Sequence, residues 1–208
     1  MLTETVVAAF LLICLGLFFS ISLHNILAVH KRKSGVKSYA EIERPSGLSV
    51  SLAVGGTLIY FLEALLYPFL AFTGLICMIL DFPFGLPFPF IFCMRILGLV
   101  LTSIGYLLFI WSVVARGRYA ASWEMPENQM LVTWGPYHYV RHPSYLGYFF
   151  MFFGLFFLWP NLFTLVPLVG IPGYLRVAFE EERLLTQRFG DDYAKYQGKT
   201  GRFLPKVR

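Results

Sequence analysis

Long apolar stretches separated by short polar connectors make up most of this chain. Three of them occupy residues 6–29, 48–80 and 90–115. A helix needs about 20 apolar residues to cross a bilayer, so the first and third stretches each predict one transmembrane helix. Residues 6–28 can span the membrane and no small-residue cleavage pattern follows them, so we expect no cleavable signal peptide.

The middle stretch, residues 48–80, is long for one crossing and short for two. Pro68 has no backbone donor, so this helix is expected either to end near Tyr67 or to continue past Pro68 with a kink. Glu63 lies inside the stretch, and a carboxylate within a membrane is a functional hypothesis by default. A structural ion pair explains it equally well, with Arg95 on the next helix as the candidate partner.

Two shorter apolar stretches, residues 145–159 and 162–175, meet at a Trp-Pro-Asn turn. Each is below the length of one crossing, so together they predict a helical hairpin. We expect its second arm to continue beyond Arg176 as one helix, to pass through three consecutive Glu residues and to end near Phe189-Gly190.

The composition agrees with this pattern, since 57% of the residues are hydrophobic and 14% are charged. These values exclude an ordinary soluble domain. We therefore predict an all-α, polytopic membrane protein with about five transmembrane helices, including the C-terminal hairpin. Residues 1–208 are interpreted as a single integral membrane domain, with three spans in residues 1–115 and, in residues 116–208, the hairpin and a cytosolic tail.

The basic residues predict the orientation. Of the 17 Lys and Arg residues, five lie in residues 30–45, three in residues 116–142 and eight from residue 176 onward. Basic loops stay in the cytoplasm, so five helices with an outer N-terminus and an inner C-terminus satisfy all three segments. The net charge of +5 therefore indicates membrane topology, and we expect no nucleic-acid partner.

The three Cys residues lack metal or disulfide spacing, and we expect no metal.

One polar motif, Gly135-Pro136-Tyr137-His138-Tyr139-Val140-Arg141-His142-Pro143-Ser144-Tyr145-Leu146-Gly147, precedes the hairpin. Pro143 suits the first turn of a helix, where its missing N–H costs nothing. Arg141 and His142 stand immediately before that turn, so a helix N-terminus with unpaired N–H groups opens beside two potential cations. Such an end suits an anion, at the place where membrane meets cytosol.

This motif resembles the signature of the isoprenylcysteine carboxyl methyltransferase family, Gly-x-Tyr-x-x-x-Arg-His-Pro-x-Tyr. A second segment is also similar: Arg176-Val177-Ala178-Phe179-Glu180-Glu181-Glu182, then Phe189-Gly190-Asp191-Asp192-Tyr193, Tyr196 and Gly198-Lys199-Thr200-Gly201-Arg202-Phe203-Leu204-Pro205. The resemblance covers about residues 129–205. It implies a methyltransferase that uses S-adenosylmethionine in a cytosolic pocket and takes a lipophilic, prenylated acceptor from the bilayer.

Methyl transfer of this kind needs few catalytic groups from the protein. A C-terminal carboxylate, with an ordinary pKa near 3.5, is ionised at neutral pH without a general base. The protein has to align acceptor and methyl group and to exclude water. An arginine and a cofactor cradle are therefore expected rather than a catalytic triad or a metal.

The resemblance assigns roles to residues of the last long helix. Arg176 matches the substrate-binding, catalytic arginine, and Glu180, four residues later on the same face, matches an acidic cofactor contact. Glu181 is an alternative for that contact. Glu182 is expected to point elsewhere and to be solvated.

The other cofactor positions that the resemblance implies lie in and just before the motif. They are Gln129, Met130, Leu131, Val132, Tyr137, His142, Pro143, Ser144 and Tyr145. A His often stands in the family where this chain has Gln129. The C-terminal match around Tyr193 and Tyr196 is expected to fold the tail back as a lid.

Three alternatives remain at this point. The same scaffold can methylate a phospholipid amine or a thiol, although Arg176 favours an anionic acceptor. A nicotinamide-dependent membrane reductase also resembles this region, but such enzymes usually have a longer chain. A membrane scaffold or sensor without enzymatic activity is the third alternative.

Overall fold

In a computed structural model, residues 3–33, 47–77, 84–87, 89–117 and 130–206 are described. Within these ranges the chain is helical, and its only β contacts are isolated bridges. The α-helices are α1 (Glu4–Lys33), α2 (Leu48–Thr73), α3 (Ile91–Arg116), α4 (Pro143–Leu158), α5 (Gly170–Phe189) and α6 (Asp191–Lys199). Short 3-10 helices occupy Gly135–His138 and Phe163–Val169.

The predicted all-α, polytopic membrane fold is confirmed. Four helical segments, Glu4–Leu27, Leu48–Thr73, Ile91–Arg116 and Phe163–Phe189, are long and apolar enough to cross a membrane, and Pro143–Leu158 is a shorter apolar helix. Many large apolar side chains on these helices are exposed. Contiguous apolar surface of that kind is typical of contact with lipid. The fold is an all-α integral membrane protein in which α4 and the segment after it form the predicted hairpin.

Small residues bring the helices into close contact. A Cβ placed on Gly105 would lie 2.7 Å from the Gly147 carbonyl oxygen, so α3 and α4 pack backbone against backbone. On the other side, a Cβ on Gly56 would lie 2.8 Å from the Gly170 Cα, which fixes α2 against the start of α5. Helices within a bilayer associate through such tight van der Waals contacts. They hold α3 against α4 and α2 against the start of α5.

Pro68 does not end α2, which continues to Thr73 and so follows the second of the two alternatives. The proposed pairing of Glu63 with Arg95 is wrong. Arg95 Nη2 instead lies 2.6 Å from Glu4 Oε1, and the Tyr67 hydroxyl donates to Glu4 Oε2 at 2.5 Å. Arg95 is therefore neutralised by α1, while Glu63 is buried on α2.

The hairpin turn is stabilised by Asn161. Its Oδ1 accepts a hydrogen bond from the Phe163 backbone N–H at 2.9 Å, and its Nδ2 donates to the Trp159 carbonyl at 2.9 Å. The chain then begins a 3-10 helix that contains Pro167 and becomes α5 at Gly170. The expected continuation through the Glu residues to Phe189 is confirmed.

Candidate functional site

The motif of residues 135–147 begins with a tight turn against the end of α3. Gly135 has φ +61°, and a Cβ there would lie 2.8 Å from the Ala115 Cβ. The preceding Trp134 donates its indole N–H to the Ala115 carbonyl at 2.9 Å. Glycine is required both by the backbone conformation and by this close approach. The motif is thus fixed to the C-terminal end of α3.

The C-terminal tail folds back on the motif, as its sequence predicts. The backbone N–H of Arg141 donates to the Gly201 carbonyl at 2.9 Å, and the backbone N–H of His142 donates to the Arg202 carbonyl at 3.1 Å. The Tyr196 hydroxyl donates to the Tyr137 carbonyl at 2.6 Å. These three bonds hold the residues before α4 against the tail after α6.

Glu182 is the centre of a buried ionic network, and its predicted exposure to solvent is wrong. Its side chain is 6% exposed, Arg141 Nε lies 2.9 Å from its Oε1, and Arg202 Nη2 lies 2.7 Å from its Oε2. His142 Nε2 is 3.2 Å from Oε1. Glu182 lies one turn after the buried Ala178 on α5, so it shares the inward face of the helix. The carboxylate joins the motif, α5 and the tail.

Glu181 makes a second set of contacts beside this network. The Tyr145 hydroxyl donates to Glu181 Oε1 at 2.6 Å, and His142 Nδ1 is 3.5 Å from Oε2. The His142 and Tyr145 rings stack with centroids 5.5 Å apart and an interplanar angle of 7°. Burial disfavours the charged imidazole, but the hydrogen bonds to Glu181 and Glu182 outweigh that effect and raise the pKa of His142.

An aromatic wall continues from Tyr145 between α4 and α5. The Tyr145 and Tyr174 rings are 4.6 Å apart, and Tyr148 stacks on Tyr174 at 5.4 Å. The Tyr174 hydroxyl is 2.6 Å from the Thr57 hydroxyl, which ties the wall to α2. Phe203 from the tail packs 5.7 Å from His142. A polar cluster is therefore bordered by flat apolar surfaces suited to a ligand with both characters.

Arg176 and Glu180 lie apart from this cluster. Arg176 Nε is 3.5 Å from Glu180 Oε1, so the predicted shared helix face is confirmed. The Arg176 side chain is 69% exposed and that of Glu180 is 34% exposed. A pair of this kind in solvent contributes little to stability. Its guanidinium is free to exchange Glu180 for another carboxylate.

The remaining predicted positions are either buried at the start of α4 or exposed to different degrees before it. Pro143 and Ser144 are buried in the first turn of α4, and Tyr137 is buried in the preceding 3-10 helix. Met130 is exposed, and the next two residues, Leu131 and Val132, are partly buried as the chain approaches the motif. Gln129 lies outside the described residues. The structure thus brings His142, Tyr145 and Glu181 together at the start of α4, where Pro143 and Ser144 also lie, while Tyr137 contacts the tail through Tyr196.

The sequence analysis did not predict the ion pairs of Glu182 with Arg141 and Arg202. Both arginines lie within the matched segments, where a charge at the edge of an apolar region needs a partner. That signal indicates buried ion pairing. It does not identify which of three adjacent Glu residues supplies the partner.

Comparisons with known proteins agree with the resemblance. A model of the phospholipid methyltransferase family matches residues 93–192. A protein-S-isoprenylcysteine O-methyltransferase from Schizosaccharomyces pombe is 36% identical over 83 residues, covering 39% of this chain and 35% of the relative. One from Xenopus laevis is 29% identical over 126 residues, covering 55% of this chain and 42% of the relative. The chain thus spans about two fifths of the length of these curated relatives.

Proposed function

We propose that this chain is a membrane methyltransferase, because residues 93–192 match the phospholipid methyltransferase family and parts of the chain are similar to protein-S-isoprenylcysteine O-methyltransferases. It transfers a methyl group from S-adenosylmethionine to the C-terminal carboxylate of an isoprenylated cysteine. The single observation that carries this proposal is the Glu181–Tyr145–His142 group at the start of α4. It offers a carboxylate, a hydroxyl and a helix N-terminus within one small region.

The residues present suit S-adenosylmethionine, which supplies a methyl group already activated on a sulfonium. Glu181 offers a carboxylate to the cofactor's α-ammonium group, and Glu180 on the adjacent position is the alternative. No side chain caps the N-terminus of α4 among the described residues. This helix N-terminus is proposed to receive the cofactor's carboxylate, because its dipole and its N–H groups favour an anion. Tyr145 offers a ring face to the adenosine.

Arg176 is proposed to meet the acceptor. A guanidinium binds a carboxylate through two parallel hydrogen bonds. Arg176 follows directly after the apolar first part of α5, residues 170–175. An acceptor whose prenyl chain lies in the bilayer would present its carboxylate at that level. The protein then has to align this carboxylate with the methyl group, in a region that the folded tail covers.

We propose that this site faces the cytoplasm, because the motif and tail belong to the basic segments of the chain. Cysteine labelling tests the orientation after Cys14, Cys77 and Cys93 are replaced. A cysteine at Lys199 should be protected from an impermeant reagent outside intact cells, whereas one at Gly85 should react. Labelling at Lys199 from outside would reverse the proposed orientation.

Methyl transfer by the full chain in lipid nanodiscs tests the function. With radiolabelled S-adenosylmethionine, we expect methylation of farnesylcysteine and none of phosphatidylethanolamine or small thiols. An amine acceptor must lose a proton during the reaction, which a carboxylate does not. Methylation of phosphatidylethanolamine alone would make the phospholipid the substrate. Binding of cofactor without transfer to any of them would contradict the enzymatic proposal.

A further inference from the structure

Glycines bring α2 and α5 into backbone contact beside the candidate site. A Cβ on Gly173 would lie 2.6 Å from the Ala53 backbone N, and a Cβ on Gly56 would lie 2.8 Å from the Gly170 Cα. Any larger side chain at these positions would push the two helices apart. The residue that follows Gly173 on α5, Tyr174, therefore has a fixed position relative to α2.

The Tyr174 hydroxyl contacts α2 at Thr57. The two hydroxyl oxygens are 2.6 Å apart, and the Thr57 hydroxyl also donates to the Ala53 carbonyl at 3.0 Å. A threonine hydroxyl has one hydrogen, so while it donates to Ala53 it accepts from Tyr174. Tyr174 is buried, and a buried hydroxyl that loses its acceptor is unfavourable. The Thr57 bond thus fixes where the Tyr174 ring lies.

The Tyr174 ring is in turn a surface against which Tyr145 packs. Their ring centroids are 4.6 Å apart. Tyr145 also stacks on His142 at 5.5 Å and donates its hydroxyl to Glu181 at 2.6 Å. A displacement of the Tyr174 ring would therefore reach Tyr145, whose ring face is proposed to meet the adenosine. Because the Tyr174 ring is anchored on α2, that helix is connected to the cofactor side of the site.

We propose that Thr57, acting through Tyr174, is a positioning residue for Tyr145 and thereby for S-adenosylmethionine. This inference rests on the proposed function and adds to it a residue outside the range 93–192, which the family model matches. Thr57 is assigned no contact with the cofactor. Its hydroxyl holds the Tyr174 ring, and the ring keeps Tyr145 in the orientation that binding requires. Less order then has to be gained when the cofactor binds.

Calorimetry of S-adenosylmethionine binding to the full chain in nanodiscs tests this inference. Thr57→Val keeps the branched shape and removes the hydroxyl, whereas Tyr174→Phe removes the other partner. Each should weaken cofactor binding by roughly 3-fold to 10-fold, the range for one neutral hydrogen bond. The double variant should bind no more weakly than either single variant, because both changes remove the same bond. Thr57→Ser retains the hydroxyl and should stay within about twofold of the wild type.

Thr73→Val is the matched control, because Thr73 is also on α2 and its hydroxyl also donates to a backbone carbonyl, that of Phe69, at 2.8 Å. It should leave cofactor affinity unchanged. Wild-type affinity in both Thr57→Val and Tyr174→Phe overturns the inference, even where the wild type methylates farnesylcysteine. Losses that add in the double variant, or that Thr57→Ser shares, also overturn it, since they would reflect packing rather than the hydrogen bond.

The same measurement distinguishes this inference from the proposed function. Suppose that the wild type binds S-adenosylmethionine and transfers no methyl group to farnesylcysteine. The proposed acceptor then fails, and the affinities of the Thr57 and Tyr174 variants still decide the inference. Should Thr57→Val not fold, Tyr174→Phe decides it, with wild-type cofactor affinity as the result that overturns it.

Discussion

Two groups of charged side chains on α5 differ in almost every physical respect. The Arg176–Glu180 pair lies outward, with Arg176 69% exposed and 3.5 Å from its partner. Glu182, two residues later, is 6% exposed and contacts Arg141, Arg202 and His142. The first is a single solvated contact between neighbours on one helix. The second joins three segments that are distant in sequence.

This difference separates a residue that holds the fold together from residues that are proposed to bind the acceptor and the cofactor. A solvated pair contributes little to stability, so Arg176 can leave Glu180 for an acceptor at small cost. A buried carboxylate with three cationic or potentially cationic neighbours cannot be released without leaving them unpaired. Glu181 lies between these extremes, held by Tyr145 and His142 yet still 22% exposed. Its intermediate position suits a group that binds cofactor.

The largest expected effect is loss of the Glu182 carboxylate. Glu182→Gln leaves Arg141 and Arg202 without their anion, and breaking a buried ion pair costs on the order of 3–5 kcal/mol. We expect a lower unfolding temperature in detergent and faster proteolysis of residues 191–206. Glu180→Gln, on the outward face, is the matched control and should unfold like the wild type. Equal stability of both variants would show that the buried network contributes nothing to the fold.

The next effect concerns turnover at Arg176. Arg176→Lys keeps the charge but loses the planar fork that holds two carboxylate oxygens. Turnover of farnesylcysteine should fall by about a hundredfold, because small misplacements of a reacting group have effects of that size. S-adenosylmethionine affinity and unfolding temperature should stay at wild-type values. A wild-type rate for Arg176→Ala would remove this residue from the proposed site.

A smaller effect should distinguish the two cofactor candidates. Glu181→Gln is expected to weaken S-adenosylmethionine binding by roughly 1–3 kcal/mol, since a charge-assisted hydrogen bond is lost. Glu180→Gln should weaken it less, because Glu180 belongs to the outward pair. Calorimetry in detergent measures both affinities. If Glu180→Gln has the larger effect, the cofactor contact belongs to the outward face of α5.

The smallest effect is a pH dependence of stability at His142. Its pKa is raised above the ordinary value of about 6.5 by Glu181 and Glu182. Its contribution is fully present below about pH 6.5 and is lost as the pH rises through the higher value in the folded state. The contribution is about 1.4 kcal/mol for each tenfold gain in proton affinity.

We therefore expect the wild type to lose part of its stability as the pH rises above about 6.5, and His142→Gln to lose less over the same interval. Unfolding temperatures measured at several pH values provide the test. Parallel curves for the two proteins would mean that His142 binds no additional proton on folding.

The apolar pattern predicted the helices well, because lipid requires long apolar segments whose backbone groups are all paired within the helix. The continuation of α5 through three Glu residues followed from the same periodicity. The motif residues Tyr137, His142 and Tyr145 were predicted as one site by their similarity to a family signature. The structure brings His142 and Tyr145 together with Glu181.

Tertiary structure alone decided which charges meet. Three consecutive Glu residues are nearly identical as local sequence, yet α5 rotates each by about 100° relative to the one before. Glu182 therefore faces Arg141 and Arg202, Glu181 faces Tyr145, and Glu180 faces outward. Likewise Arg95 pairs with Glu4 rather than Glu63, because the partner of an ion in an apolar region is set by helix packing. Sequence determined that these charges need partners, and the rotation and packing of the helices selected them.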